Sequence, residues 1–228
     1  MEKIGIAASI LLLLTAIIRE NRFSLLASSF ILTVVLIYRS FLTGYPPIFN
    51  PFDTILLFSL LFQIVSFFLK VSNRITFGLA LLFTLPLLFF KTGFKEIPPI
   101  IRTPLFFIHV GTAMVSYSLF LIASIFAAFN LFGKDYKTES VVKWGLFLFT
   151  LSLVVGGVWA FLAWGDLFPL EPKSLFSLFM WLYFSLLVHL KLDKELAKLK
   201  NILTMIGGLV ALFTFLGVNF LFGGTHGF

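Results

Sequence analysis

Few side chains in this sequence are equipped for chemistry. It contains three histidines, His109, His189 and His226, and no cysteine. Neutral imidazole is a common ligand for iron and other metals. The lack of thiols excludes disulfides, thiolate metal sites and a dithiol redox role. No glycine-rich phosphate loop, nucleophile elbow, H-E-x-x-H run or zinc-ligand set occurs.

The elements that position those imidazoles are apolar. Of 228 residues, 60% are hydrophobic, 12% are charged and 32 are phenylalanine; mean hydropathy is +1.07. A soluble domain carries about twice that charged fraction. A helix needs roughly 20 apolar residues to cross a hydrocarbon core. Eight runs approach that length, near 4–18, 23–38, 53–69, 75–90, 105–132, 141–163, 175–192 and 202–222. The expected fold is all-α, a polytopic membrane helix bundle of about eight spans forming one domain over 1–228. The first run is read as a retained span rather than a cleaved signal, because it lacks a small-x-small site. The net charge of +7 reflects loop topology, with no nucleic-acid partner expected. The pairs Gly156–Gly157 and Gly207–Gly208 read as places of close helix packing.

With eight spans, the loops after spans 1, 3, 5 and 7 hold eleven basic residues. The opposite side holds six: Lys3, Arg39, Lys91, Lys95, Arg102 and Lys173. The richer side is predicted to be cytoplasmic, which turns both termini outward. The outward segments carry eight of the nine prolines. His109, shortly after Pro104, and His226, two residues from the C-terminus, then share the outer side. They could converge on one metal, or be an interfacial histidine and a tail histidine without a role. His189 falls near the inner end of span 7, where it is either a site or a snorkelling residue beside Lys191. Between the outward histidines lie Trp159, Trp164, Phe168 and Trp181. That surface suits a large planar ligand such as a porphyrin, although aromatic belts are common at membrane interfaces. Lys173, or Arg102 near His109, could pair with a propionate carboxylate.

The segment "GGVWAFLAWGDLFPLEPKSLFSLFMWLYF" resembles the tryptophan-rich motif of CcsA-like cytochrome c assembly proteins, approximately W-G-x-x-W-x-W-D-P-K-E. The likeness runs through Gly157, Trp159, Trp164, Gly165, Pro172, Lys173, Trp181 and Tyr183. "FFIHVGTAMVSYSLFLIAS" is similar to the segment of the first outward histidine, through His109, Ser116 and Tyr117. "FLGVNFLFGGTHGF" is similar to that of the second, through Gly217, Asn219 and His226. "LTGYPPIFNPFDTILLFS" resembles an early family segment through Gly44, Pro47, Asn50, Phe52 and Asp53. His189 occupies the place of the family's deep histidine. Phe168 and Leu170 stand where the motif has tryptophans, Glu171 where it has Asp and Ser174 where it has Glu.

The resemblance implies a subunit of a system II cytochrome c synthetase in the cytoplasmic membrane. Haem (b-type, carried as cargo) would be taken up near His189 and held outside between His109 and His226. It would be presented there to an apocytochrome c bearing CxxCH. A ResB/CcsB-like membrane partner would supply the second ligand at His189, since no other intramembrane histidine exists. The alternative is a HemX-like membrane regulator of tetrapyrrole synthesis, toward which Leu170 and Ser174 lean. A CcmC-like exporter has six spans, and eight argue against it.

Overall fold

The computed structural model describes residues 1–48, 50–71, 74–93, 99–190 and 196–222. Among the described residues all regular structure is helical. The eight main helices are α1 (Glu2–Arg19), α2 (Arg22–Thr43), α3 (Pro51–Phe68), α4 (Arg74–Thr84), α5 (Pro104–Leu131), α6 (Thr138–Trp164), α7 (Pro172–His189) and α8 (Ala197–Leu212). They match the eight apolar runs one for one. Five are long and apolar enough to cross a membrane: α2, α3, α5, α6 and α8 with its continuation to Gly217.

The prolines of the turns start helices. Pro51, Pro104 and Pro172 each occupy the first turn of α3, α5 and α7. There the missing N–H costs nothing and the ring presets φ. Asn50 and Thr103 cap the first two of these helices, Asn50 Oδ1 accepting from Asp53 N at 2.8 Å and Thr103 Oγ1 from Phe106 N at 3.3 Å. Pro86 acts in the opposite way. Lacking an N–H, it ends the α-helical ladder of α4, which tightens into a 3₁₀ turn over Leu85–Leu88. A π-turn, Phe213–Gly217, follows α8 and leads into a last short turn, α9 (Val218–Leu221).

The chain divides into two compact units, Met1–Pro98 and Pro99–Phe228. In the first, α1 and α3 each pack against both α2 and α4, which makes a ring of four helices. Its core includes Ile6, Leu13, Leu25, Leu32, Phe58, Phe62 and Phe77, all fully buried. Phe83 meets Phe58 and Phe62 edge-on at 5.0 and 5.3 Å. Ser9 and Ser28 share a hydrogen bond of 2.6 Å between α1 and α2.

The second unit repeats that neighbour pattern: α5 and α7 each pack against α6 and α8. At its centre the rings of Phe120 and Phe184 stack 3.6 Å apart. In lipid no hydrophobic force drives helices together, so close packing and interhelical hydrogen bonds must. Both are present. Ser116 donates to the Gly145 carbonyl at 2.7 Å, and Tyr183 to the Leu203 carbonyl at 2.7 Å. A Cβ on Gly207 or Gly208 would lie 2.8 Å from the Phe184 ring or 2.4 Å from Ser124. The second glycine pair is therefore a packing device, as its sequence suggests.

Candidate functional site

The site assembles at the end of the second unit where α5 and α7 begin and α6 ends. His109 lies in the second turn of α5 and is half-buried. Its Nδ1 is 2.8 Å from the Ser152 carbonyl and 3.0 Å from Ser152 Oγ, on α6. That hydroxyl also donates to the His109 carbonyl at 2.8 Å. One turn further along α6, Gly156 leaves room for the ring: a Cβ there would stand 2.4 Å from Nδ1.

Trp159 follows on the same stripe of α6 as Ser152 and Gly156. It is 3% exposed. Its ring centroid is 4.8 Å from Phe106 and 4.7 Å from Trp164. Trp159 therefore packs beneath the surface, while Trp164 and Phe168 are 41% and 37% exposed. The chain reverses at Gly165, whose φ of +79° is the left-handed conformation that suits glycine at a helix C-terminus. Asp166 Oδ1 then accepts from Phe168 N at 3.0 Å. The Leu167 carbonyl folds back within 3.2 Å of where a Gly157 Cβ would be. This close return is why the glycine pair on α6 is small on both sides.

The remaining expected residues are more dispersed. Lys173 Nζ donates to the carbonyls of Thr214 and Phe215 in the π-turn, at 2.8 and 3.4 Å. Trp181 Nε1 donates to Thr150 Oγ1 at 2.9 Å and ties α7 to α6. Arg102 is exposed in the segment before α5. Exposed Leu170 lies in the loop beyond Phe168. His226 lies outside the described residues, and so does its expected meeting with His109.

His189 is the last residue of α7, at the other end of the unit. It is exposed, and its Nδ1 is 2.7 Å from the Ser185 carbonyl one turn back. An 18-residue helix is about 27 Å long, so His109 and His189 serve separate ends. A cavity of about 420 Å³ opens at the His189 end, with Asn130, Glu139, Leu187, Val188 and Lys200 in its wall. No group of three or more His, Cys, Asp or Glu among the described residues could hold a metal ion.

Sequence reasoning did not find Ser152 or Thr150. Ser152 and Gly156 carry a weak signal, two small residues four apart on an apolar helix. Nothing local tells which histidine they face, 43 residues away.

The described residues, all helical in their regular structure and with five helices long and apolar enough to cross a membrane, define a class: multi-pass helical membrane proteins. The chain belongs to the cytochrome c assembly protein family, whose profile matches residues 2–226. It is similar to the cytochrome c biogenesis protein CcsA of Porphyra purpurea, at 24% identity over 86% of this chain and 83% of the relative. CcsA of Prochlorococcus marinus (strain MIT 9215) is 23% identical over 88% of this chain and 81% of that relative. Protein NrfI of Wolinella succinogenes is 25% identical over 86% of this chain, which matches only 24% of that longer protein. The chain is thus CcsA-like, and its role lies in cytochrome c biogenesis.

Proposed function

We propose that this protein carries haem through the cytoplasmic membrane and presents it on the outer side for covalent attachment to apocytochrome c. The observation that carries the reading is His109: a half-buried imidazole engaged through Nδ1, with aromatic rings nearby, in a family that assembles cytochromes c. Nε2 of His109 serves as one axial ligand and His226 as the other. Trp164 and Phe168 give the exposed aromatic surface, and Trp159 supports it from below. His189 takes part in haem uptake at the lysine-rich end, which faces the cytoplasm. Both four-helix units act as one membrane domain.

Haem supplies two vinyl groups, and the thiols of a CxxCH segment add across them. Each S–H adds to a C=C bond, so the thioether forms without an oxidant and without a cysteine from this chain. A ResB/CcsB-like membrane protein completes the inner site. The length of the Wolinella relative, of which this chain matches 24%, supports such a companion, since a larger polypeptide there includes the similar segment.

An absorption spectrum of the detergent-purified protein, with and without the partner, tests the reading beside His109→Ala and His226→Ala. A low-spin haem spectrum that weakens or changes in both variants, with loss of cytochrome c maturation, is the expected result. No haem in either preparation under adequate haem supply would overturn it and favour a HemX-like regulator.

A further inference from the structure

We infer that Ser152 and Gly156 are positioning residues that hold His109 in the Nδ1–H tautomer and turn its Nε2 lone pair toward the ligand. The inference rests on the reading of His109 as a haem ligand, and it adds the residues that prepare it.

The hydrogen bonds leave little freedom in assigning the protons. The Ser152 carbonyl can only accept, so the Nδ1 atom 2.8 Å away must donate to it. The His109 carbonyl can only accept, so Ser152 Oγ, 2.8 Å away, donates its proton there. Ser152 Oγ is then left with lone pairs facing Nδ1 at 3.0 Å, and accepts a second share of the same N–H. These bonds place the Nδ1 proton and the Ser152 hydroxyl proton. Neutral imidazole carries a single N–H, so in the neutral ring Nε2 keeps its lone pair.

Gly156 makes the arrangement possible. The Ser152 carbonyl points along α6 toward residue 156, so any group reaching it must pass over that position. A Cβ at 156 would lie 2.4 Å from Nδ1, 2.6 Å from Cε1 and 3.1 Å from Cγ of His109. These contacts cover one side of the ring and would drive it off the carbonyl. Ser152 is fully buried, so water does not compete for these bonds. The partner of the non-ligating nitrogen sets ring orientation and basicity at metal-bound histidines, and its loss costs about 10–100-fold in metal affinity.

The test uses the full-length protein in detergent with ¹⁵N-labelled histidine, first without haem. The His109 resonance is identified by its loss in His109→Ala. A shift pattern of the Nδ1–H tautomer is expected, and an Nε2–H or averaging pattern in the wild type would overturn the inference. Gly156→Ala, which drives the ring off the Ser152 carbonyl, should move the resonance toward averaging. Ser152→Ala keeps that carbonyl and should move it less, and Ser152→Thr, which keeps the hydroxyl, should retain it. In haem titrations Gly156→Ala should bind about tenfold or more weakly, with Ser152→Ala between it and wild type and Ser152→Thr close to wild type. A Gly156→Ala variant with unchanged tautomer and unchanged haem affinity would overturn it. A wild type showing the Nδ1–H tautomer but taking up no haem would support the positioning and overturn the haem reading.

Discussion

The guanidinium of Arg39 is fully buried and forks onto the carboxylate of Asp53, joining α2 to α3. Nη1 also donates to Glu2 at 2.6 Å and to the Thr92 carbonyl at 3.0 Å. Phe52 lies beneath, its ring centroid 4.7 Å from Cζ. Asn50 donates to Asp53 Oδ2 at 2.8 Å and to the Gly93 carbonyl at 3.1 Å. Nearby, Lys3 Nζ donates to the carbonyls of Leu87, Leu88 and Phe90 at 2.6, 2.9 and 2.6 Å. One end of the first unit is thus clasped by charge.

Removing one side of this clasp leaves a buried charge poorly matched. Asp53→Ala is expected to destabilise the first unit by about 3–5 kcal/mol. Thermal unfolding in detergent would show it as a lowered midpoint. The triple change Arg39→Met, Asp53→Leu and Glu2→Gln should recover most of the loss, because it removes every charge of the Arg39 network together. A single variant as stable as wild type would show that the pair contributes nothing.

The ion pairs of Glu139 provide the contrast. Its side chain is 51% exposed and meets Lys143 at 2.6 Å and Lys200 at 3.1 Å. Solvent screens such pairs to about 1 kcal/mol or less. Glu139→Gln should therefore leave the unfolding midpoint within about 2–4 °C of wild type. A fall comparable to that of Asp53→Ala would contradict the screening argument.

The helices were legible because spans announce themselves by length and hydropathy, and their starts by Asn50-Pro51 and Thr103-Pro104. What one residue does inside the bundle was less so. Arg39 reads as a loop charge on the outward side, yet it lies within α2, paired with a carboxylate that another helix brings to it. Trp159 and Trp164 read alike as interfacial aromatics. The structure separates them: Trp159, packed against Phe106 and Trp164, is covered, and Trp164 is open. The family segment around Asn50 and Asp53 carried no obvious task in sequence. Its geometry gives it one, as the capped and charged start of α3.

Gly208 was legible as a contact, and the structure names its partner. Gly208→Val would place a branched side chain where even a Cβ stands 2.4 Å from Ser124. It would also strain the Ser124 hydrogen bond to the Met205 carbonyl, 3.2 Å long. Overpacking typically costs about 1–3 kcal/mol. A lowered midpoint is expected, with Gly208→Ala intermediate. Wild-type stability in the valine variant would mean that α5 and α8 are not held this closely.

Lys173 distinguishes a scaffold role from a ligand role. Its ammonium caps the carbonyls of Thr214 and Phe215, in a π-turn whose wider bonding takes backbone groups out of the α-helical register. Gly217 closes that turn, a Cβ there lying 2.5 Å from the Phe213 ring. Hydrogen bonds from charged donors contribute about 1.5–3 kcal/mol. Lys173→Met should therefore raise amide hydrogen exchange across residues 213–221 by about tenfold or more in the haem-free protein. Lys173→Arg, which keeps a charged donor, should raise it less. If the lysine instead served a propionate, the methionine variant would exchange like wild type without haem and differ only after loading. The comparison of the two states thus separates a residue that shapes the end of α8 from one that touches the cargo.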